Sequence, residues 1–152
     1  MQQLSKLKPR LKRVWRQRRI LLYACISVSL IRLALWLFSF KDVRQGLTTV
    51  AQRWVAPNQS VSVAAIIWSV TVASVYTPRG AKCLVKALAT QLLLNRYGYS
   101  HQLHIGVAMG TANALEAHAW IEYQGHVIMG ALQDLHRFQP FSTNTGNTGV
   151  IL

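Results

Sequence analysis

Cysteine is scarce in this chain, and acid scarcer still for its size. The two cysteines, Cys25 and Cys83, form neither a disulfide framework nor a CxxC metal pair, which fits a reducing cytosol. Only Asp42, Glu116, Glu122 and Asp134 face seventeen Lys and Arg, giving a formal net charge of +13. No small-residue cleavage site follows a short apolar core, so a removed secretion signal is disfavoured. No internal repeat is visible. No two histidines have a metal-ligand spacing, and no cofactor motif is present. The basic surplus comes without an RNP, helix-turn-helix or zinc pattern, so nucleic acid is not an expected partner. Disorder is excluded by the apolar content, 51% of the 152 residues, which leaves room for one domain with a modest core.

The charge is uneven. Lys6, Lys8, Arg10, Lys12, Arg13, Arg16, Arg18 and Arg19 precede the first apolar run. Residues 1–19 are therefore a basic segment, either a solvated tail or a surface for phosphate groups or an acidic peptide. Ile20 to Phe40 is apolar except for Tyr23, three serines and Arg32, and its twenty-one residues match a bilayer span. On an insertion scale, roughly a dozen large apolar residues at about −0.5 kcal/mol each outweigh Arg32 at about +2.5 kcal/mol, but the serines erode the margin. A buried helix explains the run better than a span does. Contact of residues 20–40 with a membrane stays open, within an otherwise cytoplasmic expectation.

Val43, Leu47, Val50 and Trp54 recur at helical spacing over Lys41 to Trp54, and Ala56 to Ser60 is a turn cluster closing a helical region at 20–56. Residues 61–75 are apolar and β-branched, so periodicity alone leaves strand and helix open. After the breaker Thr77-Pro78-Arg79-Gly80, Cys83 opens a helical stripe with Leu84, Leu88, Leu92 and Leu93 that stops at Gly98. Gln102 to Met109 reads as a strand, Gly110 to Asn113 as a loop, and Leu115 to Tyr123 as a strand. Gln124-Gly125 then turns into His126 to Met129 as a hairpin. The core spans 61–141, and 142–152 is expected to be a flexible tail.

Two residues carry chemistry. A thiolate is the active form of cysteine, and unpaired N–H groups at a helix N-terminus favour the anion. Cys83 has that placement. Taken by itself it is better explained as a small buried side chain. His118 changes this, because in Ala117-His118-Ala119-Trp120-Ile121-Glu122 the period of two puts Glu116, His118, Trp120 and Glu122 on one face, a poor composition for a purely structural strand. His101, His104, His126 and His136 lie in turn, strand or tail contexts and read as surface or structural.

A helix-borne Cys followed by a strand-borne His, small neighbours and an aromatic two residues on is the order of the transglutaminase and papain superfamily. More specifically, Cys83-Leu84, Leu92 to Gly98, Leu103-His104-Ile105-Gly106-Val107 and Glu116 to Glu122 together resemble the leader-peptidase (B) proteins of lasso-peptide biosynthesis, over about residues 75–141. The resemblance implies an α+β fold: a helix bearing Cys83 packed on an antiparallel sheet bearing His118, preceded by N-terminal helices. It also implies a cysteine peptidase that removes the leader from a ribosomally made precursor, with Cys83 as nucleophile and His118 as general base. A small leader-recognition protein and an ATP-using macrolactam synthetase would be its partners. The family commonly orients its His with an Asp on the return strand. Counting outward from Gln124-Gly125 sets Gly130 and Ala131 opposite Ala119 and His118, where that Asp would fall. Asp134 is the nearest acid beyond, with Glu116 and Gln133 as weaker substitutes, and is taken as the third catalytic candidate. The competing readings are a non-catalytic scaffold of the same fold, a Cys/His acyltransferase, and a membrane-attached basic protein binding anionic lipid or nucleic acid through residues 6–19.

Overall fold

The computed structural model describes residues 3–54, 61–77, 82–110 and 114–140, with side chains from residue 17 onward. The turn cluster at 56–60, the breaker's residues 78–80, most of the 110–113 loop and the tail at 142–152 lie outside the described residues.

Four helices precede an antiparallel sheet: α1 (Gln3–Leu37), α2 (Phe40–Arg53), α3 (Val63–Val75), α4 (Cys83–Arg96), β1 (Gln102–Met109), β2 (Leu115–Tyr123), β3 (His126–Met129) and β4 (Gln139–Pro140), with sheet order β3-β2-β1-β4. This is the α+β arrangement expected from the sequence. α1 runs without a break from the basic segment into the apolar run.

Local chemistry sets the helix ends. Ser39 caps α2, its Oγ accepting from the Asp42 N–H at 3.4 Å and donating to Asp42 Oδ2 at 2.6 Å. Ser62 caps α3 in the same way through the Ala65 N–H. The 61–75 segment is thus a helix, settling the ambiguity left by its composition. α4 ends as its glycine predicts. Gly98 takes φ +72°, the Tyr99 N–H reaches Leu94 O at 2.9 Å, and the Gly98 N–H reaches Asn95 O, which together form a Schellman turn.

That turn leads into β1, and α4 packs chiefly on β2. Leu88, Leu93 and Leu94 of α4 share one buried cluster with Ala119, Ile121 and Met129 of the sheet and with Ile20, Ala24, Val28, Ile66 and Val70 of α1 and α3. α4 is therefore the buried middle layer, between the sheet and an outer layer of α1 and α3. Its C-terminal end is clamped by Arg96, whose guanidinium lies 3.9 Å from the Trp54 ring centroid and 4.8 Å from that of Tyr23, and donates to Trp54 O.

The α4–β1 junction carries a titratable group. Burial pushes the His101 imidazole below its ordinary value of 6.5, partly offset by the hydrogen bond between Nδ1 and Tyr99 O. The unfolded chain takes up this proton near the ordinary value while the folded chain does so only at lower pH. The stability contribution is therefore present above that value and lost as pH falls through it. Urea midpoints at about pH 7.5 and about pH 5.5 should fall more steeply on acidification in the wild type than in His101→Gln.

Candidate active site

Cys83 is the first residue of α4 and is half-buried. Lys82 holds the N-cap position with extended backbone and no side-chain cap bond. The first-turn N–H groups of α4 thus have no side chain of the capping residue on them, the condition under which a helix start receives an anion or a polarised carbonyl oxygen. Cys25, by contrast, lies within α1 and packs against the main core.

His118 sits in β2 opposite Gly106 of β1. His118 and Cys83 lie on elements that pack together, β2 and α4, but no hydrogen bond links their side chains among the described residues. Alternation along β2 explains this: Ala119 and Ile121 face the α4 core, whereas His118 shares the other face with Trp120.

That second face is an aromatic shelf. The rings of His104 and Trp120 stack with centroids 5.4 Å apart at 17°, those of Trp120 and His118 lie 6.2 Å apart at 15°, and Phe138 tilts against His118 at 5.4 Å. His104 Nε2 lies 3.3 Å from Glu122 Oε2, within ion-pair range although not aligned as a hydrogen bond. Gly106 lets the returning chain approach, because a Cβ there would stand 3.0 Å from Gln139 O and 3.1 Å from both Phe138 Cβ and Trp120 Cη2.

His118 is held by the main chain. Its Nε2 lies 2.7 Å from the carbonyl oxygen of Gly130. A carbonyl only accepts, so Nε2 carries the proton and Nδ1 of the neutral ring is left as the basic lone pair. The strand pairing departs from a regular two-residue hairpin. Tyr123 pairs with His126 and Glu122 with Val127, but Ile121 pairs with Met129, so a bulge makes Ile128 the extra residue. Gly130 is therefore one register position nearer the turn than expected, past the end of β3, and turns its carbonyl onto the ring. The sequence contained no sign of this partner, because main-chain oxygens have no letter.

Gly130 also has no room for an acid. Its φ is +79°, and a Cβ would stand 2.5 Å from Ala119 O and 3.1 Å from Trp120 Cα and Cβ. Gly130→Ala is expected to destabilise the fold by at least about 1–3 kcal/mol, the usual scale of left-handed strain with a backbone clash. Denaturant unfolding measures this, and Gly130→Asp should be no milder.

Asp134 has another partner. Its Oδ2 lies 2.6 Å from Arg137 Nε, while Arg137 Nη2 lies 2.6 Å from Glu116 Oε2 and Nη1 donates to Met109 O. Glu116, Asp134 and the β1 end are thus tied through one guanidinium, leaving both acids turned to Arg137. Among the described residues no group of three or more His, Cys, Asp or Glu is placed to hold a metal ion.

A cysteine opens the helix that packs on an antiparallel sheet, and a histidine follows on the second strand of that sheet, in an α+β protein. The chain matches the transglutaminase-like superfamily over residues 27–143, and belongs to it. Comparison with curated proteins and with solved structures gives no match. The superfamily includes cysteine peptidases and acyltransferases and is generally one of cysteine-dependent enzymes.

Proposed function

We propose that this protein is a cysteine peptidase that removes the leader from a ribosomally made precursor peptide of the lasso type. Cys83 is its nucleophile and His118 its general base. The observation that carries this is the Nε2 contact of His118 with Gly130 O, on a strand that packs against the helix opened by Cys83. It fixes the ring with Nδ1 free to take a proton, the function that the family's acid otherwise performs.

In this reading His118 Nδ1 accepts the Cys83 thiol proton as Sγ attacks the carbonyl carbon of the scissile amide. The oxyanion is met by N–H groups at the start of α4. The tetrahedral centre collapses with cleavage of the C–N bond, and the imidazolium returns its proton to the leaving amine. That amine is the new N-terminus of the core peptide. Water, deprotonated by His118, then cleaves the leader thioester and regenerates the thiol. The freed amine is what a macrolactam synthetase requires. The catalytic segment offers little surface for gripping an extended leader, so a small leader-binding partner supplies recognition, and the reaction takes place in the cytoplasm.

One observation favours a second reading. His118 lies on the face away from the α4 core without a bond to Cys83, as a non-catalytic scaffold would allow. Catalysis requires thiol and imidazole to meet when substrate binds, and active-site contacts often close only in the complex. Incubating the full chain with a precursor and a leader-binding partner, and weighing the products, separates the possibilities. Free leader and free core are expected, at a rate that rises sharply with the partner. Leader joined to an added amine would indicate acyl transfer instead, and intact precursor under all conditions would leave the scaffold.

A further inference from the structure

The face of α1 turned away from the core is apolar. Leu22, Ile26, Leu30, Leu33, Trp36 and Leu37 are each at least half exposed, Trp36 at 80%. At about 100° per residue they fall within roughly a 120° arc. The opposite arc holds Ile20, Ala24, Val28 and Ile31, all sealed against α3 and α4. α3 repeats the pattern: Trp68 and Val75 are exposed on one face while Ile66, Val70 and Ala73 are buried on the other. Both helices lean on α4 and both turn these residues away from it. The outer layer of the fold thus presents these apolar faces to its surroundings, interrupted by the exposed Ser29 on α1 and Thr71 on α3; along α1 the face is about 22 Å long from Leu22 to Leu37 at about 1.5 Å per residue.

Charge identifies the occupant. Every Lys and Arg in the chain except Arg137 lies before residue 97, in the helical part of the molecule, accompanied by Asp42 as its one acid. Arg18 and Arg19 are exposed immediately ahead of the apolar arc, on the same helix as the basic run from Lys6 to Arg16. Two such surfaces face to face would repel, whereas an apolar strip beginning at a polybasic segment, with tryptophans at its margin, fits the headgroup region of an anionic bilayer. Residues Gln17–Leu37 are long and apolar enough to cross a membrane, with mean hydropathy 2.1. Crossing would nevertheless expose the buried arc to lipid and strip the core of Ile20, Val28 and Ile31.

We propose that the protein docks on anionic lipid through the outer faces of α1 and α3, lying along the bilayer surface rather than spanning it. The inference is independent of the peptidase reading. The test uses the full chain with vesicles of phosphatidylcholine alone or mixed with phosphatidylglycerol. Co-sedimentation is expected with the anionic vesicles only, together with a blue shift of tryptophan emission and release by alkaline carbonate. Changing Leu22, Ile26 and Leu30 together to Ser should weaken binding at least about tenfold, from the apolar area withdrawn from lipid. Helicity should be unchanged, because these side chains face outward. As a second measurement on the wild type, lipids brominated near the headgroup should quench the tryptophans more than lipids brominated at the chain ends. The proposal is overturned by absence of vesicle binding, by binding that the triple variant retains, or by resistance to carbonate. It is equally overturned by a lipid-free dimer that the triple variant dissociates, which would place a second copy on this face.

Discussion

Replacing Cys83 by alanine is expected to bring leader removal to background, a loss on the order of 10⁶-fold if the sulfur forms the acyl intermediate, the scale measured for deleting a nucleophile elsewhere. The change removes one half-buried sulfur from the first turn of α4, so circular dichroism should be unaltered. Cys25→Ala is the matched control. Cys25 lies within α1 and packs against the main core, and its variant should cleave at the normal rate. Cleavage by Cys83→Ala at the wild-type rate would end the peptidase assignment.

The second large effect concerns the imidazole. His118→Ala should lower turnover by about two to four orders of magnitude, the range for losing a positioned general base. Three histidine variants sharpen the test, because His104 lies on the same shelf against Trp120 and His126 is exposed near the hairpin turn. Full turnover in His118→Ala, with losses in the His104 or His126 variants, would show that another ring does the work. Asp134→Asn enters the same series. With its carboxylate on Arg137 and His118 held by a carbonyl, this variant should stay near wild type in rate. A marked loss would instead make Asp134 the group that orients the base.

Much of this architecture was legible because the sheet half of the chain alternates cleanly. β1, β2 and β3 begin and end where the period of two and the Gln124-Gly125 turn place them, and both turn residues take the positive φ that a tight hairpin of this kind requires. α4 was legible from its leucine stripe and from Gly98. α3 was not, for a reason now visible: its exposed face carries Trp68 and Val75, so both sides of the helix are apolar and no contrast survives for a period to reveal. The partner of His118 was illegible twice over. Ile128 adds one residue to the return strand without any breaker in the sequence, and the atom that meets the ring belongs to the main chain. The face of the sheet on which His118 stands was readable from the start, but not that α4 packs on the other.

The carbonyl that holds His118 also determines how this site responds to mutation. An orienting carboxylate is erased by one codon change, and its loss appears at once in any alanine scan. An orienting main-chain oxygen survives every side-chain replacement and is lost only if the backbone itself moves. A saturation screen of this protein would thus report the partner of His118 indirectly, as intolerance at Gly130 and sensitivity along the bulge at Ile128, and would score those positions as determinants of folding.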